Sequence, residues 1–174
     1  MKKRTHIRIL ALLLVFSLVF AVPVAAQEDV VIVLDPGHGG LDSGISVKYD
    51  GEEVWESTLA LKIAGYCRDY LLEHYENVEV HLTRETDQKV SLEDRVAFAE
   101  SKSADYMLSI HINADDGYAR GALAIVPRGR YHPEQAKASL VTAEACLEEL
   151  EKLGMENRGT VVQLGTNRYP DGTY

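Results

Sequence analysis

Cysteine is scarce in this chain. Cys67 and Cys146 are the only two among 174 residues. Two thiols cannot build a disulfide framework, and neither belongs to a C-x-x-C pattern. Each falls on the apolar side of an expected helix and reads as a small core residue. Glycine and proline are modest, 13 and 5 residues, in a chain that is 46% hydrophobic and 26% charged. That composition excludes a collagenous, low-complexity or disordered protein. Positive charge is also in short supply, with 18 Lys and Arg against 27 Asp and Glu. Four of the basic residues lie in Met1–Arg8, leaving 14 against 27 and a net charge of −13 on the remainder. A polyanion would be repelled by that balance, so nucleic-acid binding is excluded.

A long apolar run is missing too. Ile9–Val22 is uninterrupted but spans only 14 residues, short of the roughly 20 that a membrane-crossing helix needs. It follows a basic start and precedes the small residues Pro23-Val24-Ala25-Ala26. Charged start, short apolar run and small-residue site together read as a secretory signal over residues 1–26, cleaved after Ala26. The expected product is exported, and its membrane contact is confined to the signal before cleavage.

The length of the remainder suits one domain. Val30–Leu34 is a continuous β-branched run, the pattern of a strand buried on both faces. It ends in Asp35-Pro-Gly-His-Gly-Gly40, a sharp loop. Leu59, Ile63, Cys67, Tyr70 and Leu71 recur at helical spacing after Glu56. Val78–Thr83 reads as the next strand. Ser91-Leu-Glu-Asp94 resembles a capping box, opening a helix with Leu92, Val96 and Ala99 on one face. Tyr106–Ile110 reads as another buried strand, Ala122–Val126 as a fourth and Thr160–Leu164 as a fifth. Between the last two a long helix follows Pro133, with Ala136, Leu140, Ala143, Leu147 and Leu150 as its stripe. Strands alternating with helices imply an α/β fold, a mainly parallel sheet with helices on both faces. The turn-rich end, Asn167–Tyr174, breaks the alternation in mid-pattern, so residues 27–174 are expected to be a domain lacking its C-terminal part.

His38 and His111 each follow a strand immediately. In a parallel sheet both emerge at the carboxyl edge, where ligand sites form. Two imidazoles and one carboxylate make a common catalytic zinc set with a fourth position left for water. Glu52, Glu53 and Glu56 all compete for the third place, and on spacing alone they look like a solvated acidic helix start. Spacing does not choose among them.

Four segments carry a resemblance: Val31–Gly44, Glu56–Ala64, Leu82–Ala99 and Ala104–Ala114. In order, they are similar to the motifs of the zinc-dependent N-acetylmuramoyl-L-alanine amidases of the third class, bacterial cell-wall hydrolases. The resemblance implies a three-layer α/β/α sandwich, Zn2+ as cofactor and peptidoglycan as partner; the oligomeric state is not legible in the sequence, and a monomer is the default expectation. It implies His38, Glu56 and His111 as the metal ligands. Leu59, Leu61, Ile63 and Ala64 keep the family register from Glu56 but not from Glu52 or Glu53. The implied reaction is hydrolysis of the amide between N-acetylmuramic acid and L-alanine. The family's second glutamate, which shuttles the proton, has no match before Tyr174 and is expected beyond it. Asp35 and Asp42 belong to the first loop, and Glu144, Glu148, Glu149 and Glu151 to a solvated helix face. Two other readings stand beside the amidase: a catalytically incomplete wall-binding module, and a zinc peptidase acting on stem peptides.

The remaining polar residues have plainer expectations. His74 sits at a helix end, His81 on the exposed side of a strand and His132 in a loop; His6 leaves with the signal. Arg84 and Arg95 are expected to pair with Asp87 or Asp94, with binding of wall-peptide carboxylates as the second reading. Asn113 is placed to orient the loop or substrate, and Trp55 to stack on a sugar or cover the helix start.

Overall fold

The computed structural model describes residues 29–113, 120–129 and 132–163. The expected signal segment and the turn-rich end lie outside the described residues. The chain forms two units, Met1–Ile112 and Asn113–Tyr174.

In the first unit, β1 (Val30–Pro36), β4 (Val78–Leu82) and β5 (Tyr106–Ile110) form a parallel sheet in the order β4-β1-β5. Their register pairs Leu34 with Leu82 and Pro36 with Ile110. Side chains alternate across the sheet. Ile32, Leu34, Val78, Val80, Leu82 and Ile110 therefore share one face, and helix α1 (Glu56–His74) covers it. Ala60 and Ala64 are fully buried there, and their small side chains let the helix axis approach the strands. Leu61, Cys67 and Leu71 complete that core, as the apolar spacing predicts for Cys67.

The opposite face carries Val33, Asp35, His81 and Ser109. Helix α2 (Leu92–Ser101) lies on this side, where Phe98 meets the His81 ring edge-on at 6.4 Å. Helices thus flank both faces of the sheet, in agreement with the α/β expectation. Ser91 caps α2 as its sequence suggests, its hydroxyl oxygen accepting from the Asp94 backbone N–H at 3.1 Å. The reciprocal half of the box is altered, because the Asp94 carboxylate accepts from the Ser91 hydroxyl.

Three local readings need correction. Leu92 and Val96 are exposed, and α2 instead turns Arg95 and Ala99 inward. A buried acid on β1 draws the arginine in, as the site geometry shows below. Strand β5 is largely exposed rather than buried, since it forms an edge of the first unit's sheet. Glu52 and Glu53 do not start a helix. They belong to an antiparallel hairpin, β2 (Ser46–Tyr49) and β3 (Glu52–Trp55), turned by Asp50 and Gly51 with positive φ of 50° and 82°. Such Asp-Gly turns match the twist of paired strands.

The second unit holds β6 (Ala122–Pro127) and β7 (Asn157–Gln163), paired in parallel through helix α3 (Pro133–Lys152). Leu147 of the expected helix stripe is buried, as is Val126. Cys146 is exposed, contrary to its core assignment, because its helix position falls beside rather than on that stripe. None of the helices among the described residues is long and apolar enough to cross a membrane.

Candidate metal centre

Pro36 and Ile110 are register partners at the carboxyl ends of adjacent strands, and the Gly37 N–H donates to the Ile110 carbonyl at 2.9 Å. His38 and His111 therefore leave the sheet side by side. Their rings meet edge to face with centroids 4.9 Å apart. Gly37 makes this possible: a Cβ there would lie 2.3 Å from the His111 ring.

Glu56 comes from a different direction. It is the first residue of α1, following directly on the β2–β3 hairpin. The loop before the hairpin receives the helix start: Glu56 N–H donates to the Ile45 carbonyl and Ser57 N–H to the Ser43 carbonyl. These main-chain acceptors replace a side-chain cap, which Trp55 does not provide. The Glu56 carboxylate, 5% exposed, sits between the two histidines. Its Oε2 is 3.2 Å from His38 Nε2, and its Oε1 is 3.0 Å from His111 Nδ1. Each oxygen also accepts a backbone N–H, from Ile45 and Ile112 respectively. Burial pushes the Glu56 carboxyl up, but those two N–H groups, His111 and the charge of His38 outweigh it and hold it below its ordinary value.

Around these three residues the main chain is crowded. Gly44, at φ 64°, approaches so closely that a Cβ would stand 2.6 Å from Glu56 Oε2 and 2.7 Å from the His38 ring. His38 itself has φ 61°, in the left-handed region that non-glycine residues seldom occupy. Backbone strain of this kind persists where surrounding contacts overdetermine it. Asp42 supplies one such contact, its Oδ1 2.9 Å from His38 Nδ1. That hydrogen bond holds the Asp42 carboxyl below its ordinary value. With Nδ1 engaged by Asp42, Nε2 is the His38 nitrogen that faces Glu56 and is open to a metal ion.

The expected triad is thus brought together in full. One potential ligand atom from each of His38, Glu56 and His111 lies within 4.8 Å of the others, a cluster that could hold a metal ion. Two imidazole nitrogens and one carboxylate oxygen suit a divalent metal ion, and His111 remains half exposed, leaving one side open to a ligand. Glu52 and Glu53 fall away from the cluster on the hairpin, where Glu53 accepts from Ser46.

Other residues take roles that patterning did not disclose. Asp42 stands four residues after His38 in a glycine-rich loop, the one local signal that marked it. Arg95 pairs with Asp35, at 2.5 Å, and donates to the Pro36 and His38 carbonyls. Arg84 donates to the main chain of the His38 loop and of α1. Neither arginine is available for wall-peptide carboxylates, because both are buried. His81 pairs with Glu79 at 2.7 Å and is half-buried rather than exposed. His74 stacks on Tyr70 at the end of α1, and exposed His132 precedes α3.

Replacing Asp42 by alanine removes the carboxylate bonded to His38 Nδ1 without touching the three candidate ligand atoms. The expected result is a folded protein whose divalent-metal affinity is lower by about 10–100-fold, the usual loss for an outer hydrogen-bond partner. Competition with a chromophoric chelator measures it, and unchanged affinity would show that Asp42 does not orient the ring.

An α/β fold with a His-Glu-His cluster at the carboxyl edge of a parallel sheet defines a metal-centre class of protein. Residues 32–164 match the family model Amidase_3, described as N-acetylmuramoyl-L-alanine amidase. The chain belongs to this family. It is 48% identical over 86 residues to N-acetylmuramoyl-L-alanine amidase CwlM of Bacillus licheniformis, covering 49% of this chain and 32% of that one. It is 46% identical over 86 residues to the sporulation-specific N-acetylmuramoyl-L-alanine amidase of Bacillus subtilis, with the same coverage. The solved structure of amidase AmiC2 of Nostoc punctiforme superposes with a TM-score of 0.61 at 30% identity, covering 78% of this chain and 70% of that one. The chain spans about a third of the length of the two curated relatives.

Proposed function

We propose that residues 27–174 of this chain are part of the catalytic domain of a zinc-dependent N-acetylmuramoyl-L-alanine amidase, exported through the signal at residues 1–26. Its substrate is peptidoglycan, and the bond cleaved is the amide joining the lactyl group of N-acetylmuramic acid to L-alanine. The observation that carries this reading is the meeting of His38, Glu56 and His111 from three separate elements.

In this reading, His38 Nε2, a Glu56 oxygen and His111 Nδ1 hold the ion. When bound, zinc supplies a Lewis acid that polarises the scissile carbonyl and makes a water acidic enough to act as nucleophile near neutral pH. The chain's own residues organise the site. The Asp42 carboxylate holds the His38 Nδ1 proton and thereby the ring's tautomer. The Ile45 and Ile112 N–H groups hold the Glu56 carboxylate in its orientation. Partial exposure of His111 leaves the side on which a substrate carbonyl can approach.

Digestion of purified peptidoglycan by the zinc-loaded protein, followed by mass analysis, tests this function. Release of whole stem peptides with free L-alanine amino groups, from glycan strands left intact, is the expected result. Loss of a single terminal residue would instead show a peptidase. Retention on the wall without any release would show a binding module.

A further inference from the structure

Arg84 is 1% exposed, and it makes none of the side-chain ion pairs expected of it. Its four hydrogen bonds all go to main-chain carbonyls. Nε donates to Pro36 at 3.0 Å and Nη1 to Thr86 at 3.1 Å. Nη2 donates to Gly37 and Ser57, both at 2.8 Å. Gly37 immediately precedes His38, and Ser57 immediately follows Glu56. One nitrogen atom therefore ties together the two chain segments that carry these side chains.

We propose that Arg84 is a positioning residue that sets the separation of His38 and Glu56 at the metal centre. The inference rests on the metal-binding reading of those residues. A site of this kind has to be held to within about 0.5 Å, and His38 Nε2 stands 3.2 Å from the Glu56 carboxylate. The loop with His38 and the helix start with Glu56 come from different elements, and the main-chain bonds and hairpin ladder that join them begin only at Ser43, five residues after His38. A planar guanidinium fork, whose donors have fixed directions, can lock them to each other and to the segment after β4. The loop also packs on the arm of the side chain, since a Cβ at Gly39 would sit 3.1 Å from Arg84 Cδ.

A buried cation has a cost, and the surroundings offset it. Burial and the neighbouring Arg95 push the Arg84 guanidinium below its ordinary value, while Asp87 and Asp35 act in the other direction. Arginine stays charged through such opposition. Lysine would retain the charge but not the fork, because its compact ammonium cannot reach four carbonyls spread around a plane. That difference separates a bridging role from a purely electrostatic one.

The experiment compares wild type, Arg84→Lys and Arg84→Ala by zinc competition, by the visible absorption of the cobalt(II)-substituted proteins and by circular dichroism. Wild type is measured first; if it takes up no metal, the metal-binding reading fails and this inference fails with it. With wild type binding zinc, Arg84→Lys is expected to fold, to bind zinc about 10–100-fold more weakly and to give altered cobalt bands. Arg84→Ala, refolded with millimolar ethylguanidinium, which replaces the deleted Cγ, Cδ and guanidinium, is expected to regain zinc affinity, whereas n-propylammonium, the matching lysine fragment, has no effect. Wild-type affinity and cobalt bands in Arg84→Lys would overturn the inference and leave the metal reading standing. Equal rescue by both amines would overturn it too. Should the lysine variant not fold, the alanine variant decides alone: recovery with the guanidinium supports the bridge, and no recovery overturns it.

Discussion

Purified protein is expected to retain one zinc per chain, and His38→Ala, Glu56→Ala or His111→Ala each to lower zinc affinity by more than about 100-fold. The loss exceeds that of an outer partner, which is typically 10–100-fold, because each change removes a donor atom itself. Glu56 is expected to be the most damaging of the three. Its carboxylate lies between both imidazoles and also accepts the Ile45 and Ile112 N–H groups. Alanine there would strand two partly buried backbone donors, a cost below the about 1–3 kcal/mol that each would carry if fully buried. Glutamine would preserve volume but turn an N–H2 group toward one of those donors. Metal content by elemental analysis, with affinity from chelator competition, provides the measurement. Unchanged zinc in all three variants would remove the ligand assignment.

The second large effect concerns stability. Asp35, at 4% exposure, accepts from Thr83, Ser109 and Arg95 on the face of the sheet opposite α1. Removing Arg95 leaves that carboxylate buried without its cation. Breaking a buried pair from one side costs about 3–5 kcal/mol, a large share of the total stability of a domain this size. Arg95→Ala is therefore expected to lower the urea midpoint steeply. It should also weaken zinc binding, since the Nη2 bond to the His38 carbonyl holds the strained residue in place. Asp35→Asn combined with Arg95→Met is expected to recover much of the stability, because no lone charge remains in the core. Restored folding without restored zinc affinity would separate the two contributions. A loss below about 1 kcal/mol in Arg95→Ala would show that the pair is no more than a surface-like contact.

Local pattern was enough to read much of this molecule. The β-branched run of β1, the helical spacing after Glu56 and the alternation of strands with helices led to a parallel α/β core without any knowledge of contacts. Two histidines placed directly after strands led to a shared edge, because parallel strands end on the same side, and Pro36 and Ile110 are indeed register partners. The His38-Glu56-His111 cluster as a whole was legible only through the family resemblance, since residue spacing alone could not separate Glu56 from Glu52 and Glu53.

Tertiary structure made the remaining decisions. It put Glu52 and Glu53 on a hairpin and Glu56 at a helix start capped by the carbonyls of a preceding loop. It turned Arg84 and Arg95 into the interior, against their polarity, because carbonyls from β1, the His38 loop and α1 converge there as acceptors. Hydrophobic periodicity reports which side chains avoid water, and it is a property of neighbours along the chain. Burial of a charge depends instead on partners gathered from distant segments, and those partners exist only once the chain has folded.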